Sequence, residues 1–429
     1  MKKKKSVYLF VFLTSLFISN VEGMRYVGGD ISMLQSYEDN NVAYYDQKGV
    51  RKRDLLQYMK SEDVGWNALR VRLFVNPEKK DANGNADPQV CQDLDYVVKL
   101  CKRIKSSGFS LMLDFHYSDT WADPSNQWTP AEWLSLSASE LRTKVYEYTK
   151  DCLQRLVDEG AAPDFIQTGN EISYGMLWGD VNYDSNVNRC YSNSPNSYWT
   201  RFINLLNQAV KACREVCPQA QVVIHSERVA NSGTLKNLYT RLSGVDYDII
   251  GLSYYPYWHN SLSTLSSSLN MLANDFPDKT VQIVETAYYY QGSSTHDYDF
   301  TSVWPYTAEG QKAYTQDLIE ELKKHDNVNA LYWWFPEENG NGPNNVVLLR
   351  WLNHGLWDNS THRALPALFV LKDYLDDESV GIDDFYGEDP TGTVSYYDLQ
   401  GRRISKPSRG IVIEQRGNTT HKVFFLRNI

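Results

Sequence analysis

The stretch DFIQTGNEIS (164–173) joins an apolar strand pattern to an abruptly polar end. Residues 164–168 have the length and composition of a short buried strand. A glycine, Asn170 and Glu171 follow in direct succession. This arrangement predicts a strand with an amide and a carboxylate side by side at its carboxyl end.

Seven further segments have the same strand pattern. They are RYVGGDI (25–31), NALRVRLF (67–74), FSLMLDFH (109–116), AQVVIHSE (220–227), YDIIGLSYY (247–255), TVQIVETAY (280–288) and ALYWWFPE (330–337). Between the eight strands lie stretches with apolar residues at i, i+3 and i+4, which predict helices. Among these stretches are 94–108, 141–160, 198–216 and 308–325.

Strands and helices that alternate in this way over about 350 residues predict a (β/α)8 TIM barrel. A doubly wound open sheet is the alternative, but it usually carries a glycine-rich phosphate-binding fingerprint that this sequence lacks. Gly108 and Gly160 stand where helix C-caps belong. A last helical stretch, RALPALFVLKDYLDDE (363–378), ends the predicted barrel, which spans residues 24–378.

The two ends of the chain differ from the barrel. Residues 1–23 have a basic start at Lys2–Lys5, an apolar run over 6–19 and small residues in VEG (21–23), which predicts a secretory signal peptide. No Cys stands directly after the cleavage point, which argues against an N-terminal lipid anchor, and no other apolar run approaches membrane length. We therefore expect a periplasmic or extracellular protein without a membrane span. Residues 379–429 read as short β segments with glycine-centred turns, and predict a small C-terminal β appendage.

Composition narrows the possible partners. The formal net charge is −10, and an acidic surface repels phosphate backbones, so nucleic acid is not an expected partner. The six cysteines show no metal-binding spacing. Export permits disulfides, but we favour buried free thiols. We expect a monomer.

Two strands on opposite sides of the predicted barrel carry a glutamate at their carboxyl ends. Glu171 closes the fourth strand and Glu285 the seventh. Residues at the carboxyl ends of barrel strands point into the active-site mouth, and strands four and seven lie across it from each other. A single glutamate at a strand end is most often a solvated residue or a cap. An opposed pair is what glycoside hydrolysis requires.

Polar residues on other strands suit the same chemistry. Asn170 is expected to donate to a sugar hydroxyl. Arg70 is costly to bury unless it is paired, and its expected partner is Glu285, which it would keep ionised. Tyr254 is expected to donate its phenol to the same carboxylate.

The ends of the third, fifth and eighth strands also carry side chains that suit a sugar. Trp334 offers a flat face for the ring being cleaved. His116 and His225 are expected to bind hydroxyls or to orient a carboxylate. Each of these residues taken singly is more often structural, and it is their position at successive strand ends that favours a functional role.

Longer stretches resemble a known family. LDFHYSDTWADP (113–124), TGNEIS (168–173), IGLSYYPYWH (250–259), IVETAY (283–288) and HGLWDNSTHRALPAL (354–368) are similar to signature segments of the arabinogalactan endo-β-1,4-galactanases, glycoside hydrolase family 53. GGDISML (28–34) and NALRVRLFVNP (67–77) resemble the first two strands of that family. The resemblance runs from Arg25 to Leu371.

The resemblance implies a clan-A barrel that cleaves β-1,4-galactan, such as the type I arabinogalactan side chains of pectin, with retention of configuration. Glu171 then matches the acid/base and Glu285 the nucleophile. The residues that match subsite positions around the scissile bond are Asn170, Arg70, His116, Tyr254 and Trp334. Trp121 and Asp123 match a loop lining the glycan groove, and Asp30, which ends the first strand, is also expected among the substrate-binding residues.

Two departures from the family pattern stand out. Phe335 occupies a position where members usually carry an acidic residue. Some bacterial members hold calcium after the seventh strand, where this chain has only His296, Asp297 and Asp299. We therefore expect no required cofactor, and Asp297 and Asp299 are the residues a calcium ion would use.

Two alternatives stay open at this point. Another clan-A endo-glycanase, acting on mannan, xylan or cellulose, would share the fold and both glutamates. A non-catalytic glycan-binding protein could keep the groove, although Asn170, Glu171 and Glu285 are all present here.

Overall fold

The architecture is taken from a computed structural model of the chain. It describes residues 24–182, 187–293, 296–340 and 351–376, and four short strands between residues 394 and 425. The predicted signal peptide, residues 1–23, lies outside the described residues.

Eight parallel strands close into a barrel, which confirms the predicted TIM-barrel class. The strands are β1 (Tyr26–Asp30), β2 (Ala68–Leu73), β3 (Ser110–Phe115), β4 (Phe165–Thr168), β5 (Gln221–Ser226), β6 (Ile249–Ser253), β7 (Thr280–Thr286) and β8 (Val328–Trp334). Each pairs with its neighbours in sequence, and β1 pairs with β8 to close the ring. Seven of the eight predicted strand segments contain one of these strands, and β8 begins two residues before its predicted segment, 330–337.

Helices connect the strands. They are α1 (Leu34–Asp39), α2 (Leu55–Lys60), α3 (Leu94–Ser106), α4 (Ala138–Asp158), α5 (Asn196–Val216), α6 (Ser232–Arg241), α7 (Pro256–His259), α8 (Leu262–Asp275), α9 (Ala308–Lys323) and α10 (Ala367–Val370). Side-chain caps fix several starts, such as the capping box of Ser137 and Glu140 at α4. Gly108 and Gly160 follow α3 and α4 with positive φ angles, as expected for C-caps.

The last helical stretch is shorter than predicted. Within residues 363–378 the structure has the single turn of α10 and a 3-10 turn at Leu371–Tyr374. Pro366 precedes α10 directly, which limits how far a helix extends toward the N-terminus. A two-stranded hairpin of Tyr44–Tyr45 and Arg51–Lys52 lies outside the barrel sheet.

The barrel interior changes character from bottom to top. Its lower part is filled by apolar side chains that point inward from the strands, namely Ala68, Met112, Phe165, Val223, Ile249, Val284, Ala330 and Tyr332. The next inward positions toward the carboxyl ends are polar, including Arg70, Asp114, Gln167 and His225, all of them buried. Because the apolar layer closes the barrel from below, these polar groups are reached only from the mouth above.

The chain divides into two compact units between Leu375 and Asp376. The second unit contains β9 (Val394–Tyr397), β10 (Arg403–Ile404), β11 (Gly410–Arg416) and β12 (Thr419–Phe425), in one antiparallel sheet ordered β10-β9-β11-β12. The expected boundary at residues 378 and 379 stays a prediction, because residues 377–393 lie outside the described part.

All six cysteines lie in described segments, and each is a free thiol. Cys91 is partly exposed and the others are buried. Across the described residues, no helix has both the length and the apolar composition needed to cross a bilayer.

Candidate active site

Glu171 stands in an uncommon backbone conformation at the mouth. It follows β4 with φ 47° and ψ 50°, the left-handed region that side chains other than glycine seldom adopt. Gly169, two residues earlier, has φ 102°, and a Cβ there would lie 2.6 Å from Ile172 Cγ2. The chain therefore turns sharply between β4 and Glu171, and strain of this kind is typical of functional sites.

A β-bulge turns Glu285 toward the mouth. Val284 faces the barrel interior, so strict alternation would send Glu285 outward to the helices. The register of β7 shifts against both neighbours at this point, between Leu252 and Ser253 on one side and between Leu331 and Trp333 on the other. The extra residue brings Glu285 to the same side as Val284.

The two carboxylates converge on one hydroxyl. Ser253 Oγ lies 2.6 Å from Glu171 Oε1 and 3.5 Å from Glu285 Oε2. The separation of these two carboxylate oxygens therefore cannot exceed the sum of those distances. The structure brings together the two glutamates that the sequence singled out.

The surroundings favour protonation of both glutamates, but to different extents. Burial, Glu285 and Glu227 raise the pKa of Glu171 well above its usual range. Burial also raises the pKa of Glu285, to about 7, against the lowering effect of the Arg70 guanidinium. Glu171 is thus the carboxyl that keeps its proton as pH rises, and Glu285 is the one that ionises first.

Arg70 is the centre of a buried ion network. Its guanidinium lies 3.0 Å from Glu285 Oε1, so the expected pair is present. It also donates to Asp30 Oδ2 and to Asp114 Oδ2, both at 2.9 Å. Burial opposes its charge, but Asp114, Glu285 and Asp30 together raise the pKa of Arg70.

Asp30 and Asp114, the two aspartates of this network, hold the arginines in place. Asp30 is fully buried and is also paired with Arg72 at 3.2 Å, so it supports the arginines from below and does not face the mouth. The prediction that Asp30 binds substrate is therefore wrong, because its fully buried carboxylate contacts the two arginines and has no surface open to a ligand. Asp114 was not singled out from the sequence, although its inward position between Met112 and His116 follows from alternation.

The predicted role of Tyr254 is wrong. Its hydroxyl donates to the backbone oxygen of Asn260 at 2.8 Å. The next residue, Tyr255, donates to Glu285 Oε2 at 3.0 Å. Alternation explains the difference: Ser253 faces the mouth, so Tyr255 does too, and Tyr254 faces the helices.

Both expected histidines orient other groups. His116 Nδ1 accepts the backbone N–H of Ala122 at 3.0 Å, so the ring proton stands on Nε2, 3.0 Å from Asp114 Oδ2. His225 is fully buried, which excludes the expected contact with a sugar hydroxyl. Its Nε2 lies 2.8 Å from Ser253 Oγ, so it acts on Glu171 through that serine.

The side-chain amide of Asn170 has one N–H hydrogen left for a ligand. Its Oδ1 accepts from Arg70 Nη2 at 2.8 Å and lies 2.9 Å from His225 Nδ1. One Nδ2 hydrogen goes to the backbone oxygen of Ala122 at 2.8 Å. The second Nδ2 hydrogen is the only part of this amide that can meet an incoming hydroxyl.

A row of aromatic rings in contact with one another lies beside the two glutamates at the barrel mouth. Trp334 has its ring centre 4.2 Å from that of Trp351 and 6.1 Å from that of Trp121. Trp351 also contacts Tyr255 and the exposed Trp258. Trp351 and Trp258 were not singled out from the sequence, because neither the loop position of Trp351 nor the place of Trp258 in the short helix α7 carries a strand-end signal.

Asp123 and the expected calcium residues are engaged locally or exposed. Asp123 accepts from the backbone of Ser125 at 2.7 Å and from Asn126 Nδ2, so its carboxylate holds its own loop together. Asp299 accepts both donors of Thr301, and Asp297 is exposed. Among the residues that the structure describes, no three His, Cys, Asp or Glu side chains come together as a potential metal site, and the expectation about calcium stays a prediction.

Comparison with known proteins gives the family. The model of glycosyl hydrolase family 53 matches residues 26–371. The chain is 30% identical to an endo-β-1,4-galactanase of Bacillus subtilis over 91% of this chain and 86% of that protein. It is 32% identical to an arabinogalactan endo-β-1,4-galactanase of Cellvibrio japonicus over 87% and 98% of the two chains. The solved catalytic domain of a family 53 protein from Ignisphaera aggregans has a TM-score of 0.68 at 30% identity, over 81% of this chain and 95% of its own. With two glutamates meeting at the mouth of a (β/α)8 barrel and a family match over most of its length, this chain is a glycosidase that belongs to glycosyl hydrolase family 53.

Proposed function

We propose that the protein is a retaining endo-β-1,4-galactanase that cleaves galactan, such as the side chains of type I arabinogalactan in pectin. The observation that carries the proposal is the meeting of Glu171 and Glu285 at Ser253 Oγ. Retaining glycosidases hold their two carboxyl groups about 5–5.5 Å apart, whereas inverting enzymes leave room for a water between them. Two carboxylates that share contact with one serine hydroxyl support the shorter spacing.

The first half of the reaction forms a covalent intermediate. Glu171 gives its proton to the glycosidic oxygen as the bond to the anomeric carbon breaks. Glu285 Oε attacks the anomeric carbon from the opposite face of the ring and forms a glycosyl ester. The order in which the two carboxyls ionise supports these roles, because Glu171 keeps its proton to higher pH than Glu285.

The second half hydrolyses that ester. Glu171, now ionised, takes a proton from a water molecule, whose oxygen attacks the anomeric carbon and releases Glu285 as a carboxylate. Two inversions at one carbon give net retention. Side chains alone supply every step, so we propose that no cofactor is required, and dialysis against EDTA should leave the activity unchanged.

Arg70 and Tyr255 fit the nucleophile role of Glu285. Both donate to this carboxylate, Arg70 to Oε1 at 3.0 Å and Tyr255 to Oε2 at 3.0 Å. These donors stabilise the ionised form and fix the orientation of the carboxylate. Within the described residues no charged side chain donates to Glu171, which instead accepts a hydrogen bond from the hydroxyl of Ser253 at 2.6 Å.

The substrate assignment rests on the relatives and on the aromatic mouth. Two relatives that match most of this chain are named as galactanases. The rings of Trp334, Trp351 and Trp121 offer flat apolar faces, to which the apolar faces of pyranose rings bind. We further propose that residues 1–23 direct export to the periplasm or the medium, and that the protein acts as a monomer.

The test is digestion of purified linear β-1,4-galactan. The wild type should release oligosaccharides of mixed length, and proton NMR should show the β anomer first. Glu171→Gln and Glu285→Gln should each lower turnover by about 1,000-fold or more. Glu147→Gln, an exposed glutamate on α4, is the matched control and should keep full activity.

Other results would reassign the protein. Faster hydrolysis of mannan, xylan or cellulose than of galactan would give the function to another endo-glycanase. Binding of galactan without release of reducing ends would indicate a glycan-binding protein. Release of the α anomer first would contradict the retaining mechanism.

A further inference from the structure

Ser253 occupies a buried position between both proposed catalytic groups. It ends β6 and has no exposed surface. Its Oγ is within 2.6 Å of Glu171 Oε1, 2.8 Å of His225 Nε2 and 3.5 Å of Glu285 Oε2. A serine hydroxyl has one proton to donate and two lone pairs to accept with, so it can donate to only one of these three neighbours at a time.

His225 behind the serine is neutral. Burial, together with the nearby charge of Arg70, lowers the pKa of His225 well below its usual range. A neutral imidazole donates from one ring nitrogen and accepts at the other. Which nitrogen holds the proton therefore decides whether Nε2 gives a hydrogen bond to Ser253 or receives one.

The other side of the His225 ring has partners for both tautomers. With the proton on Nε2, the free Nδ1 accepts from Gln167 Nε2 at 3.1 Å and from the backbone N–H of Glu171 at 3.3 Å. With the proton on Nδ1, that nitrogen donates to Asn170 Oδ1 at 2.9 Å. Each tautomer therefore has hydrogen-bond partners for both ring nitrogens at the same atomic positions.

The hydrogen-bond direction follows the charge on Glu171. When Glu171 is ionised, Ser253 donates to it and accepts from His225 Nε2. When Glu171 is protonated, its own proton can be donated to Ser253 Oγ, and the serine proton is then free for His225 Nε2 or for Glu285 Oε2. Both arrangements use the same atomic positions.

We propose that Ser253, backed by His225, is a positioning residue whose hydroxyl proton turns from the Glu285 side to Glu171 when the negative charge passes from the nucleophile to the acid/base. The proposal rests on the retaining mechanism proposed above. In the first half-reaction the ester forms at Glu285 and the proton of Glu171 goes to the leaving oxygen, so Glu171 gains the charge that Ser253 then stabilises. In the second half, Glu171 recovers a proton from water, Glu285 departs as a carboxylate and the hydroxyl turns back.

Other groups facing Glu171 stay in place when the hydroxyl is removed. From the surrounding elements these are Glu285 on β7, Glu227 and Arg228 after β5, Asp123 in the loop after β3, and neutral His225. The three acidic groups raise the pKa of Glu171, whereas the hydrogen bond from Ser253 lowers it. Loss of that bond should therefore raise the pKa of Glu171.

The experiment compares Ser253→Ala with Ser268→Ala in the full chain. Ser268 on α8 is equally buried and donates one hydrogen bond, to the backbone oxygen of Val229 at 2.8 Å, so it controls for loss of a buried hydroxyl. Two pH profiles are measured: kcat/KM on linear galactan, and kcat on an aryl galactobioside with a dinitrophenolate leaving group. The second substrate needs no proton on its leaving group, so its kcat reports the step in which ionised Glu171 acts as base.

Ser253→Ala should move the basic limb of kcat/KM, and the acidic limb of kcat on the aryl substrate, upward by about one pH unit each. Ser268→Ala should move neither limb. Ser253→Thr, which keeps the hydroxyl, should return both limbs toward the wild-type values. Profiles of Ser253→Ala that match those of Ser268→Ala would reduce Ser253 to a packing residue and overturn the proposal.

A direct titration separates this inference from the proposed function. Carbon-13 NMR of protein labelled at the glutamate carboxyls, with the Glu171 signal assigned by Glu171→Gln, measures the pKa without a substrate. A raised pKa in Ser253→Ala supports the hydrogen-bond role, even if the wild type fails to cleave galactan and the proposed function falls. An unchanged pKa in an enzyme that does cleave galactan overturns the role of Ser253 alone.

Discussion

Replacing Glu285 with glutamine should stabilise the folded protein at neutral and alkaline pH while removing its activity. Burial raises the pKa of Glu285 from 4.5 to about 7, even though Arg70 lowers it. Between these two values the unfolded chain has released a proton that the folded chain still holds, so the stability of the wild type falls as pH rises. A difference of about 2.5 pH units corresponds to about 3 kcal/mol once both states are ionised. Glutamine carries no charge to bury, and its side-chain oxygen can still accept from Arg70.

The assay is urea unfolding of wild type and Glu285→Gln, followed by near-ultraviolet circular dichroism. Near pH 4 the two proteins should differ little, and near pH 8 the variant should be more stable by about 3 kcal/mol. Glu171→Gln is the matched comparison: the pKa of Glu171 is raised further, so the advantage of this variant should continue to grow above pH 7. A stability difference that is constant with pH, or one that favours the wild type increasingly at high pH, would refute the argument from burial.

Three other variants test separate contacts. Arg70→Met should destabilise the fold by about 3–5 kcal/mol in urea unfolding, because it leaves buried carboxylates without their partner; a loss below 1 kcal/mol would contradict this. Tyr255→Phe should raise the acidic limb of the kcat/KM profile, because the carboxylate of Glu285 loses a donor, whereas Tyr254→Phe should leave that limb in place. Gly169→Ala should lower both stability, by about 1 kcal/mol or more, and turnover, because alanine is strained at φ 102°; wild-type values in thermal unfolding and galactan hydrolysis would show that the turn is tolerant.

The architecture was readable from the sequence because the barrel repeats one simple pattern. Each strand candidate is a short apolar run that stops at polar residues, and a parallel barrel strand is buried on both faces. RALPALFVLKDYLDDE was the poorest prediction. Its apolar spacing is helical, but the structure has one helical turn and one 3-10 turn there, and Pro366, the fourth residue of the stretch, prevents the helix from beginning earlier.

The site was predictable where it depends on strand ends and not where it depends on register. Glu171, Glu285 and the Arg70–Glu285 pair follow from strand position and from the cost of burying a lone charge. Tyr254 and Tyr255 are adjacent and chemically identical, so only the inward or outward register of β6 separates them. Alternation from Gly251 through Ser253 would have selected Tyr255 and would have drawn attention to the serine.

The depth at which a side chain is buried was the second property of the site that the sequence could not predict. Asp30 and His225 have the residue types of ligand contacts, yet both are fully enclosed and act on other protein groups. A sequence gives the type of side chain at a strand end but not how many layers of side chains cover it. Trp351 and Trp258 were not predicted for a different reason: Trp351 lies in a loop and Trp258 in the four-residue helix α7, and neither position has a strand-end signal.

The irregularity in β7 has a consequence for how this chemistry can be lost or gained. Loss of the bulge, with every residue of the strand kept, would return β7 to strict alternation and rotate the carboxylate of Glu285 away from Arg70 toward the helical shell. The reaction therefore depends on one irregularity of the backbone as much as on the identities of the residues. A homologous chain with the same motifs but a regular strand here would be an inert scaffold.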